Sequence, residues 1–262
     1  MSEGFQHQNL KGNPPTLFVL MGASNLARGY DGIADCLRNV LGPQTVEILA
    51  AMGPGRGYCA EGGILNARYA PILRSGILEA AEGLKTARGC RVLALITDIG
   101  NDIMYGVSAE EIIASLDCIF KKLRAMQAEV LVTSIHVDLE HDVGEDLFNL
   151  LARIFYPKSS LTWKQAIVEV RKVNHFLESR SVNEIHLIRG MEAYCGGDRI
   201  HYSLDKSFKG WTRVLEKCFG LLGAAPSFKI HPLEMLRSLW LNFLRVFCVD
   251  MLHVRRPRPG LY

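Results

Sequence analysis

The feature that most constrains this chain is a set of five short apolar runs rich in Val, Ile and Leu, at 17–21, 46–51, 92–97, 130–135 and 185–188. Their length and continuity are those of strands buried on both faces of a parallel sheet. Helical patterns separate them. One follows Ser24, through Leu26, Ile33, Leu37 and Val40, and another covers roughly 66–84. A third opens at Ser108 with Glu111 three residues on, a capping-box pair in which each side chain satisfies an orphan backbone N–H. Thr162 with Gln165 repeats the signal before Ile167, Val170, Val173, Phe176 and Leu177, and a last domain helix is expected over 204–222. This alternation predicts a three-layer α/β/α domain around a five-stranded, doubly wound parallel sheet. Ligands then bind beyond the carboxyl ends of the strands.

A length of 262 residues suits one such domain with an appendage. The expected division is a flexible polar segment at 1–15, a domain at 16–225 and a helical extension at 226–262, with Pro226 ending the domain. The first segment lacks the apolar stretch of a secretory signal. Seven Cys is an odd number without C-x-x-C spacing, which suits buried thiols in a reducing compartment. Cytoplasm is therefore the expected location. A net charge of +3 is too small, and its basic residues too dispersed, to argue for nucleic acid.

Residues 136–160 break the alternation. His136, Asp138, His141 and Asp142 follow the fourth run, and 147–155 has the pattern of a short helix. An insertion at that sheet edge would overhang the ligand site. His136, Asp138 and His141 have donor types suited to a metal, but such residues in a polar loop are more often solvated, and no metal is expected.

In the extension, Leu233, Leu236, Trp240, Phe243, Leu244, Phe247 and Met251 recur at helical spacing. Arg237, Arg245 and the cluster Arg255-Arg256-Pro257-Arg258 add positive charge. Charges within the stretch argue against an uninterrupted transmembrane span. A helix packed on the core, or against a second copy in a homodimer, is one use of such a stripe. A peripheral, interfacial membrane helix through 231–254 is the other.

Three islands of irregular backbone carry the chemistry. Gly22-Ala23-Ser24-Asn25 follows the first run, and Gly22 permits a tight exit that leaves Ser24 exposed at the sheet edge with its N–H free to face an oxyanion. A serine hydroxyl is a nucleophile only when a nearby base takes its proton, and Ser24 equally fits a helix N-cap. In Asp198-Arg199-Ile200-His201, after Gly196-Gly197, the carboxylate can accept the imidazole Nδ1–H and leave Nε2 facing a serine. A solvated surface loop would read the same way. Gly100-Asn101-Asp102 follows the third run, and Asn101 offers a side-chain N–H. Gly53, after the second run, offers a backbone N–H that no Cβ obstructs, although Gly53-Pro54-Gly55-Arg56-Gly57 is also simply a turn. With the Ser24 N–H these make three oxyanion donors. Asp102 is expected to hold its loop together by accepting backbone N–H groups. A nucleotide cradle fits poorly, because the spacing is G-x-G-x-G and Pro54 removes a donor.

Taken in order over about 16–222, these blocks resemble the SGNH (GDSL-type) hydrolase superfamily. The resemblance implies a flavodoxin-like fold and hydrolysis of a small-molecule, lipid or carbohydrate ester through an acyl-enzyme, with no metal or organic cofactor. Carried over, the nucleophile is Ser24, the base His201 and the residue orienting it Asp198. The Ser24 N–H, Gly53 N–H and Asn101 amide form the oxyanion hole. The chain departs from the pattern at Ala23, where the family has Asp, and at Ile99, where it has Gly. A fold of this kind kept as a binding or scaffold protein is the alternative.

Overall fold

All five apolar runs are strands: β1 (Thr16–Met21), β2 (Val46–Ala51), β3 (Arg91–Ile96), β4 (Glu129–Thr133) and β5 (His186–Ile188). In the computed structural model, which describes residues 14–64, 67–157, 159–224, 228–254 and 259–262, they form one parallel sheet in the order β2-β1-β3-β4-β5. The chain moves outward from β1 to β2 and then crosses back to β3. Loops leaving β1 and β3 therefore diverge to opposite faces and open a crevice between them.

The helices are α1 (Ser24–Leu41), α2 (Ile77–Arg88), α3 (Asn101–Met104), α4 (Ala109–Ala125), α5 (Gly144–Phe155), α6 (Trp163–Arg180), α7 (Ser207–Leu221) and α8 (Pro232–Arg245). Alternate residues of β1 show the layering. Leu17, Val19 and Met21 enter a core shared with α2, α4 and α6, while Phe18 and Leu20 enter a second core shared with α1 and α7. Both faces of the sheet are covered, as continuous apolar strands require.

The capping boxes Ser108–Glu111 and Thr162–Gln165 both form, at the starts of α4 and α6. The second helix differs from expectation. It begins at Ile77 rather than near 66, because Pro71 and the left-handed Gly76 (φ +83) hold the preceding chain in turns. Residues 65 and 66, like 1–13, Pro226 and the Arg255–Arg258 cluster, lie outside the described residues. The last domain helix is shorter than expected, at Ser207–Leu221, and α5 starts earlier, at Gly144.

The extension folds back on the domain, with α8 packed along α1. Its apolar stripe is not the face that packs. Met235, Ser238 and Asn242 are buried, whereas Leu233, Leu236, Trp240, Phe243 and Phe247 are exposed. The reason lies in α1. Gly32 leaves room where a Cβ would stand 2.1 Å from the Met235 Cε, the Asp31 N–H donates to Ser238 Oγ at 3.1 Å, and Arg237 pairs with Asp35 at 3.1 Å. After a π-helical turn at Val246–Met251 the chain returns to β2, where Ala50 N–H donates to the Gly260 carbonyl (2.8 Å) and Tyr262 N–H to the Ala50 carbonyl (2.9 Å). Among the described residues no helix is long and apolar enough to cross a membrane.

Candidate active site

Ser24 opens α1 at the carboxyl end of β1, but it does not cap the helix. That role falls to Asp98, just past β3, whose Oδ2 accepts the N–H groups of Ala23 (2.9 Å), Asn25 (3.1 Å) and Leu26 (3.2 Å). A carboxylate at a helix N-terminus satisfies orphan donors and is favoured by the dipole. The Ser24 N–H is passed over. Among the described residues neither it nor the Ser24 hydroxyl has a hydrogen-bond partner. Both are therefore available to a ligand.

Asp198 and His201 are paired. His201 Nδ1 donates to Asp198 Oδ2 at 2.7 Å, and Asp198 Oδ1 accepts the N–H groups of Ile200 (3.0 Å) and His201 (2.9 Å). Burial alone would raise the Asp198 carboxyl, but these hydrogen bonds outweigh it and hold the group well below the ordinary carboxylate range. With its proton on Nδ1, the ring leaves Nε2 as an acceptor.

The side chain of Asn25, 3% exposed, joins the islands. Its Nδ2 donates to Asp98 Oδ1 (3.0 Å) and to the Ile200 carbonyl (3.2 Å), and its Oδ1 accepts the Tyr202 N–H (2.9 Å). His136 Nε2 meets the same Ile200 carbonyl at 3.1 Å. The backbone on either side of His201 is thus tied to the helix that carries Ser24.

Asn101 begins α3, with Nδ2 donating to the Arg56 carbonyl (3.1 Å) and Oδ1 accepting the Tyr156 hydroxyl (3.0 Å). Those two bonds define which way the amide points and leave one N–H unused. Asp102 holds its loop as expected, accepting the N–H groups of Tyr58 (2.6 Å), Cys59 (3.0 Å) and Ala60 (2.8 Å). Gly53 is buried under Tyr69, and a Cβ there would lie 2.5 Å from that ring. Tyr69 in turn donates its hydroxyl to Asp250 at 2.6 Å, past the end of α8.

A cavity of about 100 Å³ opens at the crevice. Ser24, Asp98, Asn101, His136 and Ile200 form its polar end, and Ile103, Val143, Phe148, Leu151 and Phe155 are among its apolar walls. The 136–160 insertion does overhang the site, through α5 and the turn before it. Ser24 and Asn101 share this cavity. Asp198, His201 and Gly53 do not line it, although Ile200 brings the His201 loop to its edge, and the His201 side chain is 25% exposed.

His136, Asp138 and His141 do not converge. Asp138 is engaged by its own turn, accepting the N–H groups of Glu140 and His141 and facing the His141 ring. Among the described residues no group of three His, Cys, Asp or Glu is placed to hold a metal ion. Asn25, Asp98, His136 and Tyr156 are the site residues that sequence reasoning did not assign. Asn25 and His136 lie just past β1 and β4, where a polar residue after an apolar run was the available signal.

In fold, the chain is similar to a number of solved structures. One is the psychrotrophic esterase EstA from Pseudoalteromonas, solved with monoethylphosphonate, at 12% identity over 79% of this chain and 98% of that one, with a TM-score of 0.45. A second is TesA, at 15% identity over 78% and 99%, with a TM-score of 0.46. A third is a GDSL-like lipase from Bacteroides thetaiotaomicron, at 10% identity over 79% and 88%, with a TM-score of 0.47. No family model matches the sequence, and no curated protein does.

Proposed function

We propose that the protein is a serine hydrolase that cleaves carboxylic esters through an acyl-enzyme on Ser24. The observation that carries this reading is the 2.7 Å His201–Asp198 hydrogen bond, made by a loop whose Ile200 borders the cavity holding the unbonded Ser24 hydroxyl. His201 Nε2 takes the hydroxyl proton as Ser24 Oγ attacks the ester carbonyl carbon. The same proton passes to the leaving alcohol. Water, deprotonated by the same nitrogen, then attacks the acyl-enzyme and releases the acid, returning the proton to Ser24 Oγ.

Asp198 keeps the ring in the required tautomer and stabilises the imidazolium. The Ser24 N–H and the spare Asn101 N–H meet the developing oxyanion, with the Gly53 N–H as third donor. The Ser24–His201 hydrogen bond closes when substrate occupies the site, as catalytic contacts commonly do. The apolar cavity walls receive the acyl group. An enclosed space of ~150 Å³ accommodates benzene, so this smaller one suits a short acyl chain.

Labelling with a fluorophosphonate probe tests the reading. Wild-type protein should label and Ser24→Ala should not, and Ser24→Ala should also lose turnover of p-nitrophenyl esters while its circular dichroism is unchanged. Labelling that survives in Ser24→Ala would move the nucleophile elsewhere. Across an ester series, kcat/KM should peak at short acyl chains.

A further inference from the structure

We propose that α8 docks this protein on an anionic lipid bilayer, with Trp240, Phe243 and Phe247 lying in the membrane interface. Helix α8 covers α1 with its thioether and polar residues and leaves its large apolar residues outside. Leu233, Leu236, Trp240 and Phe243 are each more than half exposed. Trp240, Phe243 and Phe247 stack in sequence, with ring centroids 5.7 and 6.1 Å apart. This forms a continuous aromatic ridge parallel to the helix axis. An amphipathic helix with Trp, Phe and Leu on its free face lies in the plane of the interface rather than across it.

Charge selects the partner. Residues 228–262 contain six Lys and Arg against two Asp and Glu, whereas the preceding 227 contain 24 against 25. The positive excess of the whole chain therefore resides in the segment that carries the ridge. A second basic group adjoins it. Lys209, Arg213, Lys217 and Lys229, with Glu216 among them, line an open groove that ends at Pro232, the first residue of α8. Phosphate headgroups complement these cations, and an anionic surface attracts each Lys or Arg held near it. A second copy of the chain would bring the same positive charge to the contact.

The experiment floats the full chain with phosphatidylcholine vesicles, with or without phosphatidylglycerol, at low and high salt. Binding is expected to the anionic vesicles at low salt, with weakening at high salt and a blue shift of Trp240 emission. Trp240→Glu combined with Phe243→Glu should abolish flotation, and Lys217→Glu with Lys229→Glu should weaken it about tenfold or more. Both double variants should keep wild-type turnover of a water-soluble ester. Absence of wild-type flotation, or equal flotation with neutral vesicles, overturns the proposal. So does a sedimenting dimer that Trp240→Glu with Phe243→Glu splits into monomers while vesicles recruit neither form.

Discussion

At the scale of single residues, two buried or partly buried side chains outside the proposed triad hold the candidate site together. Asp98 caps the helix that presents Ser24, and Asn25 ties that helix to the backbone beside His201. Asn25→Ala removes hydrogen bonds from a buried cluster and leaves partners unsatisfied, so it should cost about 1–3 kcal/mol in thermal or denaturant unfolding. It should also lower kcat more than it raises KM, because the backbone on either side of His201 loses its tie to α1 while the apolar walls of the cavity are unchanged. Asn101→Ala should lower kcat by roughly a hundredfold to a thousandfold at nearly constant KM. Tyr156→Phe should show a smaller fall in kcat, since it only frees the amide to rotate. Steady-state kinetics on one p-nitrophenyl ester separates these outcomes. Ser24 and Asn101, the groups proposed to meet substrate, were legible because each follows an apolar run in a short irregular island, and Asp198 with His201 through their spacing of three. Asp98 and Tyr156 were not, because their partners lie 75 and 55 residues away and no local pattern announces a contact of that range.

At the scale of elements, strand positions, capping boxes and the overhanging insertion could be read from hydropathy and spacing. The face that α8 turns inward could not. Periodicity shows that a helix has an apolar stripe, whereas packing depends on what the neighbouring helix offers, and α1 offers a glycine gap and a backbone N–H suited to Met235 and Ser238. The start of α2 was missed for a related reason, since the turn chemistry of Pro71 and Gly76 overrides a permissive helical pattern. Helix α5 closes the cavity with Phe148, which is 2% exposed. Phe148→Ala should destabilise the protein by about 3–5 kcal/mol and shift the ester preference towards longer acyl chains. The melting temperature and the chain-length profile of kcat/KM report the two effects independently.

At the scale of the whole molecule, the depressed Asp198 carboxyl links folding to acidity. A group whose folded value lies below its unfolded one contributes stability above the unfolded value, near 3.9, and loses that contribution as pH falls through the folded value. The melting-temperature gap between wild type and Asp198→Asn should therefore be flat from neutral pH to about 5 and narrow below about 4. A gap that widens with acid would reverse the sign of the assignment. The order in which the chain emerges during synthesis gives the Asp98 cap another meaning. Helix α1 is complete by residue 41, but the carboxylate that finishes its first turn arrives with residue 98, after β2 and α2 have been made. A nascent chain stalled before β3 therefore holds its serine on a frayed end. Ser24 is expected to become ordered only when β3 zips onto β1, so hydrogen exchange at Asn25 and Leu26 should slow abruptly between fragments ending before and after that strand.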